Sequence, residues 1–335
     1  LKVKLLGEAS SLRGLSGTKD AEAFNAYLQG MHYVNRGSDK DALLAAVDAY
    51  REAIKIDPHY AEAHAGLAKA LENLATNNFA DLDQVVDKAE AAARKSIELS
   101  PTLAEGHMVL SVIAAGYRLD PAVAMKEIDK AISLDPGNVE VLIEYARLHV
   151  IAGDFETATD AALTAQELDP VSTAAAQQLG NVLYVARKYD EAIVAFKRAL
   201  SLNPHYPRPY YGIAMCKFLQ GDLEEAAKSV AQEPLTWMRF SGLAIVQHKL
   251  GHKDAAEEAM ASLIESYRDN GLYQQAQVHA QWGDIDASVE ALLKARDIGD
   301  PGVSQIIVDP LIDAVRDDPR FMGLLADVRR DATAD

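Results

Sequence analysis

An all-α solenoid of about eight helix-turn-helix units with a C-terminal capping segment is the fold the sequence predicts, and three observations predict it. Asp135-Pro136, Asp169-Pro170 and Asn203-Pro204 recur at intervals of 34 residues, and a fixed period of this size marks a stacked repeat. Within the period, small and apolar residues return at spacings of three and four, as in Ala192, Phe196 and Ala199, which lays them on one face of an amphipathic helix. A chain of 335 residues exceeds one ordinary core, but in a stack each unit packs only on its neighbours.

Taken in order, the first unit runs from Tyr27 to Pro58 and carries Ala46, Tyr50 and Ala53 on its second helix. The next, from Ala61 to Pro101, has Leu67 and Ala89, and its proline-to-proline distance of 43 residues exceeds the period by nine. The polar stretch Asn73 to Gln84 is where the surplus is expected, as a longer loop or as extended helices. Leu103 to Pro136 holds Leu110, Ala124 and Ala131, with one extra residue near Leu119-Asp120-Pro121. Val139 to Pro170 holds Gly153, Ala158 and Ala165, and Thr173 to Pro204 is the clearest unit.

After Pro204 the prolines fade, but Gly221-Asp222, Gly251-His252 and Gly283-Asp284 mark the inter-helix turn at spacings of 30 and 32 residues. The unit with Tyr210 and Ala226 has a second helix cut short near Pro234; the next has Phe240, Leu243 and Ala256. The last offers Ala295 but Gln275 in place of leucine. Three domains are expected: a tail over residues 1–20, repeats over 21–300 and a cap over 301–335. In the cap, Leu311, Phe321, Leu324 and Leu325 are expected to face inward, and Asp309, Asp313, Asp317, Asp318, Arg329 and Arg330 to face solvent, because a terminal repeat needs a polar-faced cover.

These positions resemble the tetratricopeptide repeat. Leu179, Gly180, Ala192, Phe196, Ala199 and Pro204 fall on family positions, while Ala176 and Leu183 depart from the usual aromatics. The resemblance implies a right-handed superhelical solenoid that binds proteins without catalysis. Two further stretches, Gly17 to Gly30 and Val308 to Phe321, are similar to the entry and exit of the repeat region in bacterial membrane-anchored regulators, either CadC-type winged-helix regulators or class III adenylate cyclases. That likeness implies a sensory or docking module on the periplasmic side of a larger parent. A free-standing cytoplasmic scaffold is the alternative, and a ligand- or metal-dependent enzyme the third reading.

The formal charge of −17 repels phosphate backbones and anionic lipid headgroups, so nucleic acid is not an expected partner. The longest apolar stretch, Val109 to Ala115, is far short of the roughly 20 residues that span a bilayer. The start Leu1-Lys2-Val3 reads as the tail of something longer. Cys216 is the single cysteine and sits in an apolar segment, where a small buried hydrophobe is expected.

No catalytic motif stands out, and no cofactor is expected. His248 and His252 have i, i+4 spacing, but Gly251 interrupts the helix and a third ligand would have to come from Glu257 or a distant unit, so a solvated turn is expected. Gly14 to Lys19 has the wrong glycine spacing for a phosphate loop. Asp81-Leu82-Asp83 lacks the glycine and terminal glutamate of a calcium loop.

In the repeat family the first helix of each pair lines the concave surface. The resemblance therefore nominates Met108 and Val112, then Ile143, Arg147 and Val150, then Gln177, Asn181 and Tyr184, and finally Arg208, Tyr211, Met215 and Phe218 as a peptide-binding groove. Arg147, Arg208 and Asn181 would hold a carboxylate or backbone while Tyr and Met fill pockets. Packing between units is the alternative for Tyr184, Met215 and Phe218, and an acidic partner the alternative for Arg208. Of the clamp that chaperone-binding members use, only Asn181 and Arg208 fit, which disfavours that class. A protein or peptide is the expected partner, with self-association as a further one.

Overall fold

A computed structural model describes residues 17–34, 39–77 and 79–330. Among them are seventeen α-helices and three short 3₁₀ turns, and no strand. Sixteen of the helices form eight consecutive hairpins. These are α1 (Ala21–Val34) with α2 (Lys40–Ile56), α3 (Ala61–Thr76) with α4 (Leu82–Leu99), α5 (Ala104–Gly116) with α6 (Pro121–Leu134), and α7 (Val139–Ile151) with α8 (Phe155–Leu168). They continue as α9 (Thr173–Val185) with α10 (Tyr189–Leu202), α11 (Pro209–Leu219) with α12 (Leu223–Val230), α13 (Thr236–Lys249) with α14 (Lys253–Tyr267), and α15 (Leu272–Trp282) with α16 (Ile285–Asp297).

The prolines do what the period requires. Pro58, Pro101, Pro136, Pro170 and Pro204 each lie in the turn just after a second helix, where the missing N–H and the restriction on the preceding residue stop the helix. After Pro136 and Pro170 the following first helix then starts on a side-chain cap. Asn138 accepts from the Glu140 and Val141 amides and Ser172 from the Ala175 amide, satisfying donors that the first turn leaves open. Most of the nine surplus residues go into helix length: α3 and α4 have 16 and 18 residues, against 13 and 14 for α7 and α8. The cut near Pro234 leaves α12 with 8 residues.

Small residues let the hairpins approach. Phe196 is 1% exposed and lies between Gly180 of its own pair and Gly212 of the next, where a Cβ on either glycine would stand 2.5 Å from the ring. The aromatic on the second helix and the glycine on the first are thus one packing unit.

The described residues form two compact units, one reaching Ile113 and including Lys126–Asp135, the other made of Ala114–Met125 and everything from Pro136 onward. In the first, Thr18 is 4% exposed and its hydroxyl donates to Asp57 at 2.5 Å, and Asp20 caps α1 by accepting from the Glu22 and Ala23 amides. Residues 1–16 of the expected tail lie outside the described residues, as do the side chains of Arg329 and Arg330.

In the second unit the segment after α16 divides. Phe321 and Leu324, on α17 (Pro319–Arg330), are buried against α15 and α16 as a cap should be. The preceding strap, with 3₁₀ turns at Pro301–Gln305 and Pro310–Val315, does something else. Val303, Ile306, Ile312 and Val315 join the core of the last pair, but Leu311, 0% exposed, enters the cluster built by α11, α13 and α15. Asp309, expected in solvent, is buried instead.

The candidate binding face and the strap upon it

The nominated groove residues fall into two groups. Ile143, Arg147, Gln177 and Asn181 are half-buried on α7 and α9. Arg147 donates to both oxygens of Glu144, at 2.8 and 2.6 Å, and the Asn181 amide reaches Gln178 at 3.4 Å. Met108, Met215 and Phe218 must be corrected: all three are buried, Met215 completely, and Met215 and Phe218 belong to the cluster that α11 forms with α13 and α15. Val150 is likewise buried.

Arg208 is tied down through its backbone. It precedes α11 with a φ of 84°, and its amide donates to both carboxylate oxygens of Glu233 at 2.9 and 3.0 Å. Glu233 is 0% exposed and also accepts from the amides of Tyr211 and Leu235, so it caps α11 from a distant turn. Burial raises its carboxyl above the ordinary glutamate range, against the pull of these amides. The Arg208 guanidinium lies 5.8 Å from the centre of the Trp237 ring.

Tyr184 and Tyr211 lie beside the strap. Both pack in the cluster that Leu311 enters, and burial, with Asp309 close by, raises both phenols. The strap is held chiefly by α15. Tyr273 donates its hydroxyl to Asp309 at 2.8 Å, Gln277 donates its side-chain amide to the same oxygen at 2.7 Å, and Gln281 donates to the Leu311 carbonyl. Tyr273, Gln277 and Gln281 are spaced by four, which aligns them on one helical face. Gly302 presses on the Tyr273 ring so closely that a Cβ would collide with it.

Asp300 opens the strap, accepting from the Gly302 and Tyr273 amides. Burial pushes its carboxyl up to about 6, against those two hydrogen bonds. Asp309 is raised by the same cause. At the far end Arg316 ties the strap to itself through Asp313 and the Ile307 and Asp309 carbonyls, and Arg187 reaches Asp313 at 2.7 Å.

Arg187 is the detail that sequence reading missed. Gly153 and Gly221 take φ of 81° and 85° in their turns, and Arg187 stands 34 residues from each with φ 62°. Leu119, one period before Gly153, has φ 52°, and it packs on the core that the strap shares. An arginine and a leucine at a glycine position, together with the polar face Tyr273-Gln277-Gln281, were the available signals. Leu119 also lines an apolar cavity of about 460 Å³ with Leu148, Ile151, Ser304 and Ile307.

The remaining candidates have partners of their own. His248 stacks on Trp282 with ring centres 5.0 Å apart, and the His252 ring meets Gln247 at 2.8 Å. Among the described residues no three His, Cys, Asp or Glu side chains are grouped to hold a metal ion, and no helix is long and apolar enough to cross a membrane. Cys216 is 0% exposed and burial pushes its thiol up to about 12.

Hairpins of this period, glycine-on-aromatic packing and proline stops define a tetratricopeptide-repeat fold. A family profile described as tetratricopeptide repeat matches residues 183–235. Anaphase-promoting complex subunit 7 of Dictyostelium discoideum is 25% identical over 38% of this chain and 22% of its own length. The type IV pilus assembly protein PilF of Pseudomonas aeruginosa is 28% identical over 36% of this chain and 48% of its own. The chain thus spans less than half the length of these relatives. Among solved structures, the human IFIT1 dimer with m7Gppp-AAAA superposes with a TM-score of 0.62 at 14% identity, covering 89% of this chain and 79% of that one; at that identity the likeness concerns the fold alone.

Proposed function

We propose that the chain is a non-catalytic protein- and peptide-binding domain, the sensory or interaction module of a larger bacterial signalling or regulatory protein. The observation that carries this reading is the seat of the strap: first helices of the array hold an irregular polypeptide by side-chain donors from Tyr273 and Gln277 and by a pocket for Leu311. A surface that does this for its own chain has the chemistry to do it for another. Two relatives, by their names, are a subunit of a multiprotein complex and an assembly protein, which supports a binding role. The bacterial regulatory context rests on the end stretches Gly17 to Gly30 and Val308 to Phe321.

Gln177 and Asn181, half-buried and one turn apart on α9, are the polar pair through which a partner is best tested. With the full chain as bait, the Gln177→Arg, Asn181→Arg double variant is expected to stay folded, with a cooperative unfolding transition, while it loses its stoichiometric partner. Capture of the same proteins at the same yield by variant and parent would show that this face is not the site.

A further inference from the structure

Four observations about the strap go beyond its role as a cover. Asp309 and Leu311 are held by their side chains: the acid by Tyr273 and Gln277, the leucine in the apolar cluster that also contains Met215, Phe218 and Val246. The flanking Ile312 turns the other way, into the core of the last pair, so the grip on Asp309 and Leu311 can open while that anchor stays. The outer fastening is the ion pair of Arg187 with Asp313, 51% and 38% exposed, which is weak and screened by salt. Two buried donors in the same cluster, the Tyr184 hydroxyl and the Trp237 indole nitrogen, have no hydrogen-bond partner, so the tethered segment leaves part of the site's bonding capacity unused.

We propose that the first-helix surface of the last four hairpins is a receptor for peptides in which an acidic residue is followed by proline and an aliphatic residue, and that Asp309-Pro310-Leu311 occupies it as an intramolecular stand-in. The proposal rests on the binding reading above and names the ligand chemistry of the surface. The segment's carboxylate shows that the seat takes an acid through neutral donors, and Leu311 shows the size of the adjoining pocket. A partner peptide of the same pattern that also offers acceptors to Tyr184 and Trp237 displaces the stand-in. Tethering gives the stand-in an effective concentration on the order of millimolar, so the site discriminates against weak ligands.

The test uses the full chain and a fluorescent peptide copying residues 306–316, followed by anisotropy. Leu311→Gly, which empties the pocket, is expected to bind the peptide saturably and at least tenfold more tightly than the parent, and the peptide carrying Leu311→Asp is expected not to bind. A folded Leu311→Gly chain that ignores the parent peptide overturns the proposal, as does a variant that instead dimerises and thereby blocks uptake. Should Leu311→Gly not fold, hydrogen exchange on the parent and on Asp313→Ala decides. The Leu311 amide, which donates to the Asp309 side chain, is expected to exchange well before the amides of α15 and faster still in Asp313→Ala, whereas equal protection makes the strap permanent core and overturns the idea. Failure here with partner loss in the Gln177→Arg, Asn181→Arg chain leaves the binding reading standing; the reverse outcome separates the two in the other direction.

Discussion

At the scale of single residues, the turn after α9 shows how a local penalty can coexist with a stable fold. A non-glycine residue in the left-handed region costs roughly 1–2 kcal/mol, yet Arg187 takes that conformation at φ 62° and points its guanidinium at Asp313. Changing it to glycine relieves the strain, but glycine adds roughly 0.4–1 kcal/mol of unfolded-state freedom, and the exposed ion pair contributes roughly 0.2–1 kcal/mol. These nearly cancel. Arg187→Gly is therefore expected to leave the denaturant midpoint almost unchanged, and a midpoint loss worth more than about 1.5 kcal/mol would contradict the balance. The period alone was enough to locate this turn, since glycine recurs 34 residues away on both sides, but it could not say that the exception serves a contact with Asp313, 126 residues distant.

At the scale of elements, the hairpins were legible and the strap was not, for a physical reason. Helix pairs announce themselves through i, i+3 and i+4 spacing and through breakers, both local in sequence. The seat of the strap depends on α15 meeting residues 27 to 36 positions further on, and an acid in a short irregular segment reads as solvated until its neighbours are known. The strap therefore makes a pH prediction. Asp300 is buried and its carboxyl is raised from 3.8 to about 6. A raised acid contributes stability that is fully present below its unfolded value and is lost as pH rises through its folded value. The window is about pH 4 to 7, with a ceiling near 3 kcal/mol, and Asp309 shifts the same way. Asp318, held down to about 2 by Arg320, acts only below this window. Unfolding free energy is expected to fall between pH 4.5 and 7 as far as these groups decide it, and Asp300→Asn is expected to flatten that slope; an unchanged slope in the variant would show that the carboxyl is not the titrating group.

At the scale of the whole molecule, the charge of −17 sets a constraint on any ligand of the proposed kind. An acidic peptide approaching this chain meets net repulsion, which slows encounter and is screened over about 8 Å at physiological ionic strength. Near the seat, Arg187 and Arg316 supply two positive charges against the two acids Asp313 and Asp309, so the local field is close to neutral and the long-range field dominates the approach. The association rate of the peptide copying residues 306–316 with Leu311→Gly is therefore expected to rise as salt is increased from about 20 to about 200 mM, the opposite of steered association between complementary charges. Dissociation is expected to change little, because the carboxylate sits among the neutral donors Tyr273 and Gln277 and the leucine contact is apolar. Stopped-flow anisotropy at several salt concentrations separates the two rates. An association rate that falls with salt would mean that the basic side chains around the seat outweigh the rest of the chain, and that the surface attracts acids from a distance instead of admitting them only on contact.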